Sequence, residues 1–200
     1  MKTFSFKTAA LAAMLPLAVL AAPVAAHDHK DKAAVADVTA LYAPITQAEV
    51  ESAQQAWGNA LVAIATEFDT KGHAAAKALA EKVLDSAYGY AMGPVLFKPT
   101  LTVAPQTFRT TRDGALAYFV GGDKNFPNDT GFALKGWRSF KIDNAAIITT
   151  GNTAISMGNV SITDAKGNVT TVDKTWGYVR GPDGALRIVL HHSSLPYKAS

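Results

Sequence analysis

The residues with the widest chemical range in this 200-residue sequence lie near its C-terminal end. His191 and His192 follow Ile188-Val189-Leu190, a run that reads as the last strand of a sheet. Imidazole changes charge between about pH 5 and 8, so either ring can act as acid, base or anion donor. Neighbours on a strand face opposite ways, which lets only one of the two enter a pocket. Strict alternation puts His192 with Ile188 and Leu190, and His191 with Arg187 and Val189. We take His192 as the pocket residue and keep His191 as the alternative general base. The plainer reading of either is a hydrogen-bonded structural histidine at an interface.

One strand earlier, Val172, Lys174, Trp176 and Tyr178 alternate onto one face. A cation and two aromatic rings on a concave wall suit a planar or anionic ligand. The competing reading packs both rings in the core and leaves Lys174 at the rim. Tyr118, Tyr90 and Trp137 are open to the same two readings, and Tyr118 is kept as a ligand-binding candidate. Trp57 falls on a helix core stripe and reads as packing. Asp173 lies on the face opposite Trp176 and reads as a solvated strand residue. Arg109 and Arg112 sit in a polar stretch, Phe108 to Gly114, and read as solvated too.

A second constellation depends on processing. Lys2 and Lys7, the apolar stretch Ala9 to Ala22 and the small residues Val24-Ala25-Ala26 form the pattern of a bacterial secretory signal over residues 1–26. Pro16 and its shortness argue against a membrane span. Cleavage after Ala26 would expose His27-Asp28-His29. The amine, two backbone amides and the His29 ring then offer four nitrogens in a plane, the geometry Cu(II) and Ni(II) favour. The alternative is a polar tail with incidental histidines. The expected location is periplasmic or secreted, and later stretches are too short in apolar residues to anchor the mature chain in a membrane.

Composition narrows the remaining classes. There is no Cys, which removes disulfide frameworks, zinc-thiolate sites and thiol nucleophiles. Apolar residues make up 48% and charged residues 18%, the balance of a folded domain. The formal charge is +3, and loss of Lys2 and Lys7 reduces it to +1, with no basic run that would recruit nucleic acid. No cofactor is implied.

The elements that must position these residues are readable. Residues 27–45 form a polar tail, and residues 46–200 one domain. Thr46-Gln47-Ala48-Glu49 is a capping box, and Val50, Trp57, Leu61, Ile64 and Phe68 make a helical stripe ending at Gly72. A second helix runs from His73 to about Ala91. Short strands are expected at Val95–Val103 and Ala115–Val120, then four longer ones at Trp137–Thr149, Thr153–Thr163, Val169–Arg180 and Ala185–Ser194. Gly121 to Gly136 is long for a hairpin loop and reads as a lid or assembly contact. Two helices followed by an antiparallel meander predict an α+β fold with helices on one sheet face. In Thr153–Thr163, Ile155 and Met157 point one way, and Val160 and Ile162 the other. A sheet apolar on both faces predicts at least a dimer.

The run Val95-Leu96-Phe97-Lys98-Pro99-Thr100-Leu101, the turns Gly151-Asn152-Thr153-Ala154 and Asp183-Gly184, and the ending Ile188 to Ser194 resemble the nuclear transport factor 2-like (SnoaL-like) cone fold. They are closest in look to the calcium/calmodulin-dependent protein kinase II association domain and its bacterial relatives. The resemblance spans Thr46 to Pro196. It implies a strongly bent sheet curling around the helices to leave a pocket. Gly177 and Ser193 stand where the kinase domain carries an Arg pair. Chains with Gly121-Gly122-Asp123-Lys124-Asn125-Phe126-Pro127 are sometimes labelled phosphoribosyl-AMP cyclohydrolases. That enzyme's Cys-ligated zinc has no counterpart here. The function expected from the sequence is a secreted small-molecule-binding or self-assembly domain, homo-oligomeric and without chemistry of its own. The alternative is a small hydrolase, cyclase or isomerase with a C-terminal His as general base.

Overall fold

The computed structural model describes residues 42–199. The signal segment, most of the tail and the His27–His29 metal motif lie outside them. Helix α1 spans Gln47–Lys71 and helix α2 His73–Ala87, followed by a 3-10 turn at Gly89–Ala91. The capping box forms: the Thr46 side chain accepts from the Glu49 amide, and Glu49 accepts from the Thr46 amide. Gly72 separates the helices at φ 82°, in the region glycine tolerates best. Helix α2 thus ends four residues before the position expected from its apolar stripe. Among the described residues no helix is long and apolar enough to cross a membrane.

Strand β1, Leu96–Lys98, is only three residues long, because Pro99 removes a donor and ends the pairing. The expected strand at Ala115–Val120 is instead helix α3, Arg112–Val120. Thr111 caps it by accepting from the Gly114 amide, and Asp113 sits in its first turn. Gly114 to Val120 are all buried. A helix buried all round shows no period, and a short apolar run without a period is read as a strand just as readily.

Strands β2 (Trp137–Thr150), β3 (Thr153–Asp164), β4 (Val169–Arg180) and β5 (Leu186–Ser194) form the antiparallel meander. The sheet order is β1-β5-β4-β3-β2, with β1 parallel to β5. This is the α+β architecture expected. Helix α1 crosses the inner face so closely that Gly58 lies against the Phe140 ring, where a Cβ would find no room. Gln54 ties the helix down, exchanging hydrogen bonds with Asn144 and donating to Ser156.

Two of the sheet's three register shifts bear on which residues face inward near the C-terminal strands. Asn144 pairs with Gly158 and Ala146 with Met157, leaving Ala145 as an extra residue. In β5, Ile188 pairs with Tyr178 and Leu190 with Gly177, leaving Val189 as the extra residue. A bulge inverts the alternation beyond it. His191 therefore faces inward opposite Trp176, and Ser193 inward opposite Lys174. His192, taken as the pocket residue by strict alternation, is exposed on the outer face.

Candidate active site

The inner face carries a cluster of rings and polar groups drawn from five elements. Lys174 from β4 is buried at 3% exposure, and His191 from β5 at 2%. Lys174 Nζ is 2.8 Å from His191 Nε2. His191 Nδ1 is 2.9 Å from the Tyr88 hydroxyl, at the end of α2. That hydroxyl accepts from Trp57 Nε1 of α1 at 3.0 Å. Phe97 of β1 stacks on the imidazole with centroids 4.4 Å apart. The Lys174 nitrogen lies 4.6 Å from the Trp57 ring centroid and 5.4 Å from that of Trp176. Five separate stretches of sequence thus fix one amine and one imidazole.

A hydroxyl group of residues closes the same cleft. Thr100 Oγ1 and Ser193 Oγ are 2.5 Å apart. Lys98 Nζ donates to the Ser193 carbonyl oxygen at 3.1 Å and closes the strand end. Thr100 and Ser193 share one hydroxyl–hydroxyl hydrogen bond, in which either can donate. Tyr118 of α3 lines the same cleft, and Leu101 and Thr100 beside it partly counter the effect of burial on its phenol. Trp57, Phe97, Pro99, Phe119 and Phe132 make up the apolar wall.

Burial controls the protonation states. It pulls the Lys174 amine down to about 7. It holds His191 well below the usual histidine range, reinforced by Lys174 and His192. It pushes the Tyr118 and Tyr88 phenols up, so both stay protonated at neutral pH. A neutral imidazole, a readily deprotonated amine and three hydroxyls line the cleft with no carboxylate, packed so closely that side chains must part to admit a small oxyanion or its neutral precursor.

The other candidates fall elsewhere. Trp176 is buried against Trp57 and His191. Tyr178 lines a neighbouring apolar cleft of about 200 Å³ with Leu186, Ile188 and Ala53. The Trp176 indole nitrogen and the Tyr178 hydroxyl have no hydrogen-bond partner among the described residues. Asp173 is exposed and accepts from Asn159. Arg109 is not solvated as expected: it is buried at 2% and donates twice to Asp129 at 2.8 Å. That pair ties the segment before α3 to the long loop before β2. Arg112 is partly exposed, paired with Asp85. A cleft of about 500 Å³ lies between α2, α3 and Gly121–Asn125 and is lined by mixed charges. Among the described residues no group of three His, Asp or Glu side chains comes together to hold a metal. Thr100 was not singled out from sequence, and Ser193 only as a departure from a family pattern. They are 93 residues apart, and no local spacing links them.

Helices over a curved sheet, with hydroxyls, a buried amine and stacked rings in the fold's inner cleft, define a cone-fold protein of the α+β class. A crystallised protein described as a calcium/calmodulin-dependent protein kinase II association domain, from Xanthomonas campestris, shares this fold at TM-score 0.51 and 21% identity, over 76% of this chain and 88% of its own. The family described as metal-independent carbonic anhydrase matches residues 48–195. A metal-independent carbonic anhydrase from Nostoc sp. is 67% identical over 154 residues, 77% of this chain and 75% of the relative. The crystal structure of a cyanobacterial iota-carbonic anhydrase complexed with bicarbonate matches at TM-score 0.77 and 66% identity, over 78% of this chain and 95% of that one. This chain belongs to the metal-independent carbonic anhydrase family. That membership overturns the expectation of a binding or assembly domain without chemistry: the family is one of enzymes. Hydrolase, cyclase and isomerase readings fall with it.

Proposed function

We propose that this protein interconverts carbon dioxide and bicarbonate without a metal, in the cleft lined by Thr100, Tyr118, Lys174, His191 and Ser193. Kinship with a relative at 67% identity carries the reading. The cleft supports it chemically. Carbon dioxide is apolar overall and suits a wall of Phe97, Phe119 and Phe132. Its oxygens become anionic as water adds, and the Tyr118 hydroxyl, kept protonated by burial, is on the same lining to donate to that charge. Stopped-flow measurement of carbon dioxide hydration, on protein stripped with a chelator, tests the function. We expect acceleration proportional to protein, and a drop of about 100-fold in kcat for Tyr118→Phe, the usual cost of one preorganised donor. No acceleration by the unaltered protein would overturn it.

Two wider assignments belong to the same proposal. The leader pattern of residues 1–26 supports action outside the cytoplasm. Exposed Ile148, Ile155 and Met157 on the outer face of β2 and β3 support pairing with a second copy.

A further inference from the structure

We propose that the Lys174 amine is the base that accepts the proton of the attacking water, and that His191 positions it. This rests on the cleft being the carbon dioxide site. Water is a poor nucleophile, and its addition to carbon dioxide releases a proton that a nearby group must take. The cleft's lining holds two nitrogen bases, Lys174 and His191, and no carboxylate.

Hydrogen bonding separates their roles. Both imidazole nitrogens are engaged, Nδ1 with Tyr88 and Nε2 with Lys174. His191 is also clamped by Phe97 stacking, so it has no free site for a substrate. Lys174 has one hydrogen-bond partner, His191, and when it donates an N–H to Nε2 its lone pair is left to accept a proton. Register supplies the aim. Lys174 is directly opposite Ser193 on the inner face, next to the Ser193–Thr100 hydroxyl pair.

The surroundings favour a neutral amine that can gain a proton. Trp57 of α1 and Trp176 of β4 flank the nitrogen. Titratable groups facing it are His191 of β5, Tyr88 after α2 and Tyr118 of α3. Lys98 of β1 reaches the Ser193 carbonyl, and His192 lies on the outer face of β5. The buried carboxylate Asp129 is committed to Arg109. No acid among the described residues is paired with Lys174 to hold it permanently charged. Its amine, drawn down to about 7 by burial, exists in both states near neutrality.

The step balances. The water oxygen forms a bond to carbon, one C=O π pair moves onto oxygen, and one water O–H bond breaks. The proton forms an N–H bond on Lys174, giving bicarbonate beside an ammonium. The product ion pair then stabilises the charge that burial disfavoured. Departure of bicarbonate readmits water, which takes the proton and restores the amine.

Lys174→Met keeps much of the volume and removes the base. We expect kcat for hydration to fall about 100-fold or more, with Lys141→Met, an exposed lysine, unchanged. Wild-type kcat should rise with pH through an inflection near 7. The inflection should disappear in Lys174→Met and move in His191→Asn, which a purely structural histidine would not produce. Lys174→Met retaining full activity and the same inflection would overturn the role while leaving the function intact. So would a ¹³C carbamate resonance on Lys174 under ¹³CO₂, which would make carbon dioxide itself the amine's partner. Should Lys174→Met fail to fold, a wild-type profile flat from pH 6 to 8 would overturn it. An inactive wild type would remove the function and this role together.

Discussion

Lys174 occupies a position that costs stability, and the cost can be read directly. In the unfolded chain a lysine titrates near about 10.4, whereas burial holds the folded amine at about 7. Between those values the unfolded chain binds more protons than the folded one. Stability therefore rises with pH across that window, and below about 7 the full penalty is present. One such group contributes a slope of up to about 1.4 kcal/mol per pH unit. Urea unfolding at pH 6, 7, 8 and 9 should show wild-type stability climbing above pH 7 and Lys174→Met lacking that climb. Parallel curves would mean the folded amine is not destabilised. The tryptophan faces at 4.6 and 5.4 Å offset part of the cost but supply no counter-charge. Alternation along β4 was enough to place Lys174, Trp176 and Tyr178 on one face from sequence. It could not separate Tyr178, which opens onto another cleft, from Lys174, which reaches His191.

The bulge in β5 decides which residues of the C-terminal run reach the cleft. Gly177 makes it possible, since a Cβ there would meet the Leu190 Cβ at 2.9 Å, closer than real side chains pack. Gly177→Val should force β5 away from β4, costing about 1–3 kcal/mol by overpacking. Activity should fall further than stability, because His191 and Ser193 both lie beyond the bulge. Paired urea-unfolding and hydration assays check this. A variant with wild-type stability and activity would show that the strand accommodates the side chain. The same bulge explains why strict alternation points to His192 where the fold turns His191 inward. Period-two alternation holds only while pairing is regular, and Gly177 alone does not announce an extra residue in the neighbouring strand. Helices α1 and α2 were legible because capping and an amphipathic stripe leave local marks. Helix α3 was not, because a helix enclosed on all sides has no polar face to reveal its period. Thr100, Tyr118 and Ser193 meet through tertiary folding, and only their types are visible in the chain.

At the scale of the molecule the sheet separates two surfaces. The inner one carries the cleft. The outer one leaves Ile148, Ile155 and Met157 exposed at 65%, 51% and 58%. Ile148 lies directly opposite Ile155, and Met157 two residues further along β3, so the three form one patch on β2 and β3. Such a patch on two long paired strands suits a two-fold partner, because a symmetric pair of copies buries the same residues on both sides. The paired charge Lys141–Asp143 lies further along β2 and would stay at the rim of such a contact. Light scattering at micromolar concentration should report a dimer for the unaltered protein. The double variant Ile155→Asp with Met157→Asp should shift it to monomer, since desolvating two carboxylates without partners opposes association. Because these side chains point away from Lys174 and Ser193, the monomer should keep its hydration rate per chain. A monomeric wild type would remove this interface. A monomeric double variant with lost activity would instead mean that pairing helps shape the inner cleft through the shared strands β3 and β4.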